Sequence, residues 1–110
     1  GLSNAMLMPA VTEWSAPSAL PRYADCARAM GIADDGESNQ GAVGRLIEAL
    51  HSINSQLKVP SPQAYGIDRE RWNALLPLMA EQALASGSPG NNPRVPQPQD
   101  IISLYQQAWN

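Results

Sequence analysis

Between Gln40 and Leu57 the apolar residues Val43, Leu46, Ile47, Leu50, Ile53 and Leu57 recur at steps of three and four, with Arg45, Glu48, Ser52 and Ser55 on the opposite side. That is the repeat of an amphipathic α-helix. No stretch of the chain shows a convincing strand pattern, and no internal repeat is present. The apolar content is carried by Ala, Leu, Ile and Met, with no Phe at all, which favours helices over sheets. The spacing therefore predicts an all-α fold, a bundle of about five to seven helices. A chain of 110 residues has material for one modest core, burying roughly two-thirds of the surface its unfolded form exposes. A single all-helical domain over 1–110 is expected.

Local signals place the helices. Ser38 is the expected N-cap of the long helix, which runs to about Lys58 and stops at Val59-Pro60. Its one oddity is Asn54, at the edge of the apolar stripe, whose amide, if buried, is expected to satisfy a backbone group. Ahead of it, Pro21 suits the first turn of a helix whose stripe is Leu20, Tyr23, Ala24, Ala27 and Met30, closed by Gly31. After it, Ser61-Pro62 opens a short helical turn ending at Gly66, and Asp68 caps a helix through Trp72, Leu75 and Leu76, bent at Pro77 and ending near Ala85. The last helix, from about Pro98 to Trp109, turns Ile101, Leu104, Tyr105 and Ala108 inward.

Two segments resist this plain scheme. From Leu2 to Val11 the apolar and small residues Leu2, Ala5, Met6, Leu7, Met8 and Val11 leave no polar face, so this helix should be buried on all sides, with Pro9 bending or breaking it. Residues 86–99, SGSPGNNPRVPQPQ, hold four of the ten prolines and two glycines and should be irregular. Stretches of that length inside a compact domain usually carry function or link parts.

Composition and charge exclude several classes of function. A net charge of −3 spread through the chain gives no clustered basic footprint for nucleic acid. No apolar run approaches the roughly 20 residues that span a bilayer, so no membrane association is expected. The one cysteine, Cys26, has no partner for an internal disulfide, and no leader pattern precedes it, which makes the reducing cytoplasm the default setting. His51, the only histidine, lies on a helix flank and reads as a boundary residue; Cys26 reads as a buried small hydrophobe. Gly41-Ala42-Val43-Gly44 lies within a helix, unlike a phosphate-cradling loop. A catalytic metal needs about three protein ligands, and none gather here, so the chain by itself shows no reaction centre.

The phrases GLSNAMLMPAV, PRYADCARAMG, LIEALHSINSQLKVPSP, YGIDRERW and NNPRVPQPQDIISLYQQAW, in that order, resemble the C-terminal part of the iron-containing (group III) alcohol dehydrogenases over nearly the whole chain. Asn4, Ala5, Pro9, Arg22, Tyr23, Ala27, Gly31, Asn92, Pro93, Arg94, Asp100, Ile101 and Tyr105 fit the family's positions, while Met8 replaces its usual Leu. SNAM looks like a cloning junction before a start methionine, but the match runs on both sides of it. The opening is therefore expected to be native sequence, cut directly after a histidine.

The resemblance implies the all-helical C-terminal domain of a dehydroquinate synthase-like, iron-containing alcohol dehydrogenase fold. Its partners would be an N-terminal dinucleotide-binding domain of the same enzyme and a small alcohol or aldehyde substrate; a homo-oligomer is compatible with it. NAD or NADP and a divalent metal, Fe or Zn, would be the cofactors of the parent enzyme. The metal, usually held by one Asp and three His, would have all its ligands upstream, so the chain alone should be inactive and contribute cleft wall. By the same resemblance Ser88 and Gly90 would approach the substrate, Asn4 would lie near the metal, and Arg94 would either serve its motif or anchor the loop by hydrogen bonds. Two rivals remain at this stage: a free-standing helical interaction module gripping a partner through its apolar opening, and the corresponding domain of a maleylacetate reductase-like enzyme.

Overall fold

The computed structural model describes residues 2–109, with the side chains of residues 2 and 3 set aside. Five α-helices follow one another: α1 (Leu2–Ser15), α2 (Leu20–Ala29), α3 (Asn39–Gln56), α4 (Arg69–Ala85) and α5 (Pro98–Gln107), with short 3₁₀ turns at Ala16–Ser18 and Ser88–Asn91. There is no strand among the described residues. The all-α expectation holds.

The helix ends follow their local chemistry. Ser38 Oγ accepts from the Gly41 N–H at 3.1 Å and caps α3, and Asp68 does the same for α4 from Arg71 at 3.2 Å. At the start of α5 the Asp100 carboxylate reaches back to accept from the Gln97 N–H at 2.9 Å, quieting a donor that the helix leaves free. Helix α2 closes on Gly31, φ 75°, with its N–H bonded to Arg28 O and that of Ile32 to Ala27 O, the paired closure in which a left-handed residue ends a helix. Helix α3 closes in the same way, Lys58 to Ser55 O and Val59 to Asn54 O. Its left-handed residue is Lys58, φ 56°. The Ser61–Gly66 segment is a hydrogen-bonded turn and not a helix of its own.

Two packed regions share the molecule. Small residues let α2 and α3 approach closely: Ala24, Ala27 and Ala42 are fully covered, beside Ala16, Ala33, Val43 and Leu46. Arg28 ties the loop between them, donating to Asp25 at 3.1 Å, to Glu37 O at 2.9 Å and to Asn39 Oδ1 at 2.8 Å. The second region joins α4 to α5 through Trp72, Leu76, Ala80, Ile101 and Leu104. There the Trp72 ring meets Tyr105 edge-on at 5.8 Å and Trp109 at 6.0 Å. Helix α1 spans the two, touching α3 on one side and α5 on the other.

Several burial expectations fail here. Helix α1 is not buried on all sides: Met8 is 51% exposed, and only Pro9 and Ser15 of its described side chains are buried. Ile53, Leu57 and Met30 continue the predicted inner stripes but face outward. These stripes extend past the ends of the helices packed against them. Cys26 is exposed, since the covered face of α2 is carried by Ala24 and Ala27, and His51 is exposed as well. Pro9 does not break α1, which runs through it. The carbonyl that it leaves without a helix donor is met from α3, where Asn54 Nδ2 donates to Ala5 O at 2.8 Å.

Candidate functional site

The main concavity is an open groove of about 470 Å³ between α1, the Ser88–Asn91 turn and α5. One wall is α1, whose residues Asn4, Leu7, Met8 and Val11 share a face at helical spacing. The opposite wall comes from the end of α4 and the turn after it. Gly87 takes φ 81°, a conformation that a side chain would oppose, and this swings the chain so that Ser88 and Pro89 face the groove. Ile101, Leu104 and Tyr105 of α5 complete the lining.

The turn is fastened to the end of α1, where helix carbonyls lack intrahelical donors. Arg94 Nη1 donates to the Trp14 carbonyl at 3.1 Å, and its guanidinium lies 3.8 Å from the centre of the Trp14 ring, a stacked cation–π geometry. Asn92 Nδ2 donates both to the fully buried Ser15 Oγ at 2.8 Å and to the Arg94 carbonyl at 2.6 Å. Arg94 thus anchors the loop through a carbonyl, one of the two roles the sequence left open for it. The segment expected to be irregular contains a wound turn held at two points.

The lining is mostly apolar, and its polar members are neutral: Asn4, Thr12, Ser86, Ser88, Asn92 and Tyr105. The Tyr105 phenol, which burial pushes further above its ordinary range, is a hydrogen-bond donor at neutral pH as any tyrosine is. Of the residues singled out from sequence, Asn4 and Ser88 are brought to the same groove from opposite ends of the chain. Gly90 sits in the same turn but is exposed and outside the lining, with open space where a Cβ would stand. The sequence reading missed Thr12, Trp14 and Asn92 as groove residues; the Asn92-Pro93-Arg94 phrase was a signal for the last, while the spacing along α1 does not say what the face of Thr12 and Trp14 meets. Among the described residues no three His, Cys, Asp or Glu side chains stand close enough to hold a metal. No helix among them is long and apolar enough to cross a membrane.

Comparison with known proteins gives a consistent picture. The family model described as "Fe-containing alcohol dehydrogenase family, C-terminal" matches residues 1–109. Lactaldehyde reductase of Escherichia coli (strain K12) is 33% identical over 110 residues, covering 99% of this chain and 28% of that protein. NADPH-dependent butanol dehydrogenase of Clostridium saccharobutylicum is 26% identical, again over 99% of this chain and 28% of its own length. The crystal structure of a 1,3-propanediol oxidoreductase superposes with a TM-score of 0.86 at 29% identity, over 98% of this chain and 28% of that one. The chain thus spans under a third of each of these proteins.

Proposed function

The chain belongs to the iron-containing alcohol dehydrogenase family, its residues 1–109 matching the model of the family's C-terminal part, and on that premise we propose that it forms one wall of the substrate cleft in a larger NAD(P)-linked alcohol dehydrogenase or aldehyde reductase. The observation that carries this reading is the convergence of Asn4 and Ser88 on one groove. In this reading the metal, Fe or Zn, and NAD or NADP are held in the cleft by residues upstream of this chain, as the family resemblance implies. The chain's own part is to bind and orient, and by itself it is inactive.

Leu7, Met8 and Val11 offer an apolar surface to the carbon chain of an alcohol, while Ser88, Asn4 and the protonated Tyr105 supply neutral hydrogen-bonding groups. A groove without a charged lining residue favours uncharged alcohols and aldehydes over carboxylated ones, since a carboxylate there would lose water with no cation to replace it. Gly90 leaves the outer side of the turn open, where a nicotinamide carried by the upstream domain can approach. Cytoplasmic location belongs to the same proposal.

The test is Ser88→Leu in the full-length protein. Filling the groove should lower kcat/KM for a short alcohol by about tenfold or more, mainly through KM. An unchanged kcat/KM for alcohols of every length would remove Ser88 from the cleft.

A further inference from the structure

We infer that Asn54 and Pro9 act as one unit that positions the first turns of α1, the Asn54 amide supplying the hydrogen bond that Pro9 withdraws and so holding Asn4 at the groove. In an α-helix the N–H of residue 9 would serve the carbonyl of residue 5, and proline has no N–H to give. The Ala5 carbonyl is therefore orphaned. It lies on a half-buried residue near a buried Pro9, where an unmet acceptor is costly. Asn54 Nδ2, 49 residues away on α3, stands 2.8 Å from that oxygen.

The other interior proline provides the contrast. Pro77 of α4 and Asn73 four residues before it are both exposed, so water reaches the freed carbonyl and no side chain is needed. Asn is also a poor choice inside a helix, and this one sits where an apolar residue would extend the stripe of α3. Its backbone is fixed in turn, because its carbonyl accepts from Val59 at 2.8 Å in the closure of α3. The chain of hydrogen bonds from Val59 to Asn54 to Ala5 thus ends one residue from Asn4. The effect on substrate rests on the reading of the groove given above; the hydrogen-bond replacement does not.

The experiment is a double-mutant cycle in the full-length protein with Asn54→Leu, Pro9→Ala and both together, read by Tm and by kcat and KM. Asn54→Leu should lower Tm by about 3 °C, the effect of one lost buried hydrogen bond, and lower kcat/KM several-fold. Pro9→Ala alone should change little. The double variant should regain most of both losses, because the restored N–H now serves Ala5. Equal Tm losses in the single and double variants would overturn the replacement, and a Tm that recovers while kcat/KM never moved would overturn the positioning role. Should Asn54→Leu fail to fold, a folded double variant supports the unit and an unfolded one overturns it. Failure of the groove reading is distinguishable, since it shows as an inert Ser88→Leu while the Tm cycle still couples.

Discussion

Lys58 and Gly31 occupy equivalent places in two helix closures, and only one of them suits the conformation. At φ 56° the Cβ of Lys58 crowds its own backbone, at a cost of roughly 1–2 kcal/mol, whereas Gly31 has none to crowd. Lys58 is exposed and its one hydrogen bond is from the backbone N–H to Ser55 O, which glycine keeps, so replacing it removes strain without removing that contact. Lys58→Gly should stabilise the protein by about 1 kcal/mol, after the added freedom of the unfolded glycine is deducted. Thermal denaturation measures it, and a lower Tm would contradict the assignment. Glu37 gives a prediction in pH. The Asp34 N–H, at 3.1 Å, and then Arg45, at 2.7 Å, hold its carboxyl below the ordinary value. A lowered folded pKa means stability that is present above the unfolded value and lost as pH falls through the folded one. The Tm gap between the parent and Glu37→Gln should therefore be open at neutral pH and close on acidification below about pH 4. A gap that stays constant across that range would show that the carboxylate contributes nothing here.

Helix α1 and the turn after α4 are bound to each other by two side chains with different tasks. Asn92→Ala would leave the fully buried Ser15 Oγ without the donor it now faces at 2.8 Å, an expected cost of about 1–3 kcal/mol. Arg94→Lys keeps the charge but loses the flat surface that lies on Trp14 and the fork that reaches its carbonyl. It should cost about 1 kcal/mol and raise KM together with it, because Ser88 stands on the same turn; a stability loss with KM unmoved would separate the latch from the groove. What sequence could foresee divides along the same line. The ends of α2, α3 and α4 were legible because Gly31, Ser38 and Asp68 act on backbone a few residues away. The partner of the carbonyl freed by Pro9 was not, since Asn54 comes from another helix. Ser88 and Asn4 were found through family resemblance, while Thr12 and Trp14 needed the fold, because nothing in their own neighbourhood says that α1 ends beside the Ser88–Asn91 turn. Ile53, Leu57 and Met30 were misplaced because periodicity identifies the apolar side of a helix but not whether anything covers it.

The molecule measures 46 × 30 × 19 Å with a radius of gyration of 14.9 Å, against about 13 Å for a compact chain of this length. It is long and thin because α1 bridges two packed regions instead of entering a shared core. The cost is apolar surface left in water at Met8 on α1, Ile53 and Leu57 on α3, and Leu78 on α4. Single exposed apolar residues are ordinary, but a helix that bridges α3 and α5 outside a shared core, with Met8 left in water, is weakly held. Its fraying should require only local opening, whereas the alanine-packed pair α2 and α3 opens with the whole domain. In the 110-residue chain alone, α1 amides should therefore exchange with solvent at least tenfold faster than those of α2 and α3. In the full-length protein the proposed upstream domain covers α1, and that difference should shrink. Hydrogen exchange read by mass spectrometry on both proteins decides it. Activity should follow the same division, with alcohol-dependent NAD(P) reduction in the full-length protein and none in the chain alone. If α1 is as protected in the isolated chain as α2 and α3, then its exposed face needs no partner, and the cleft-wall reading loses the physical reason for an apolar helix at that position.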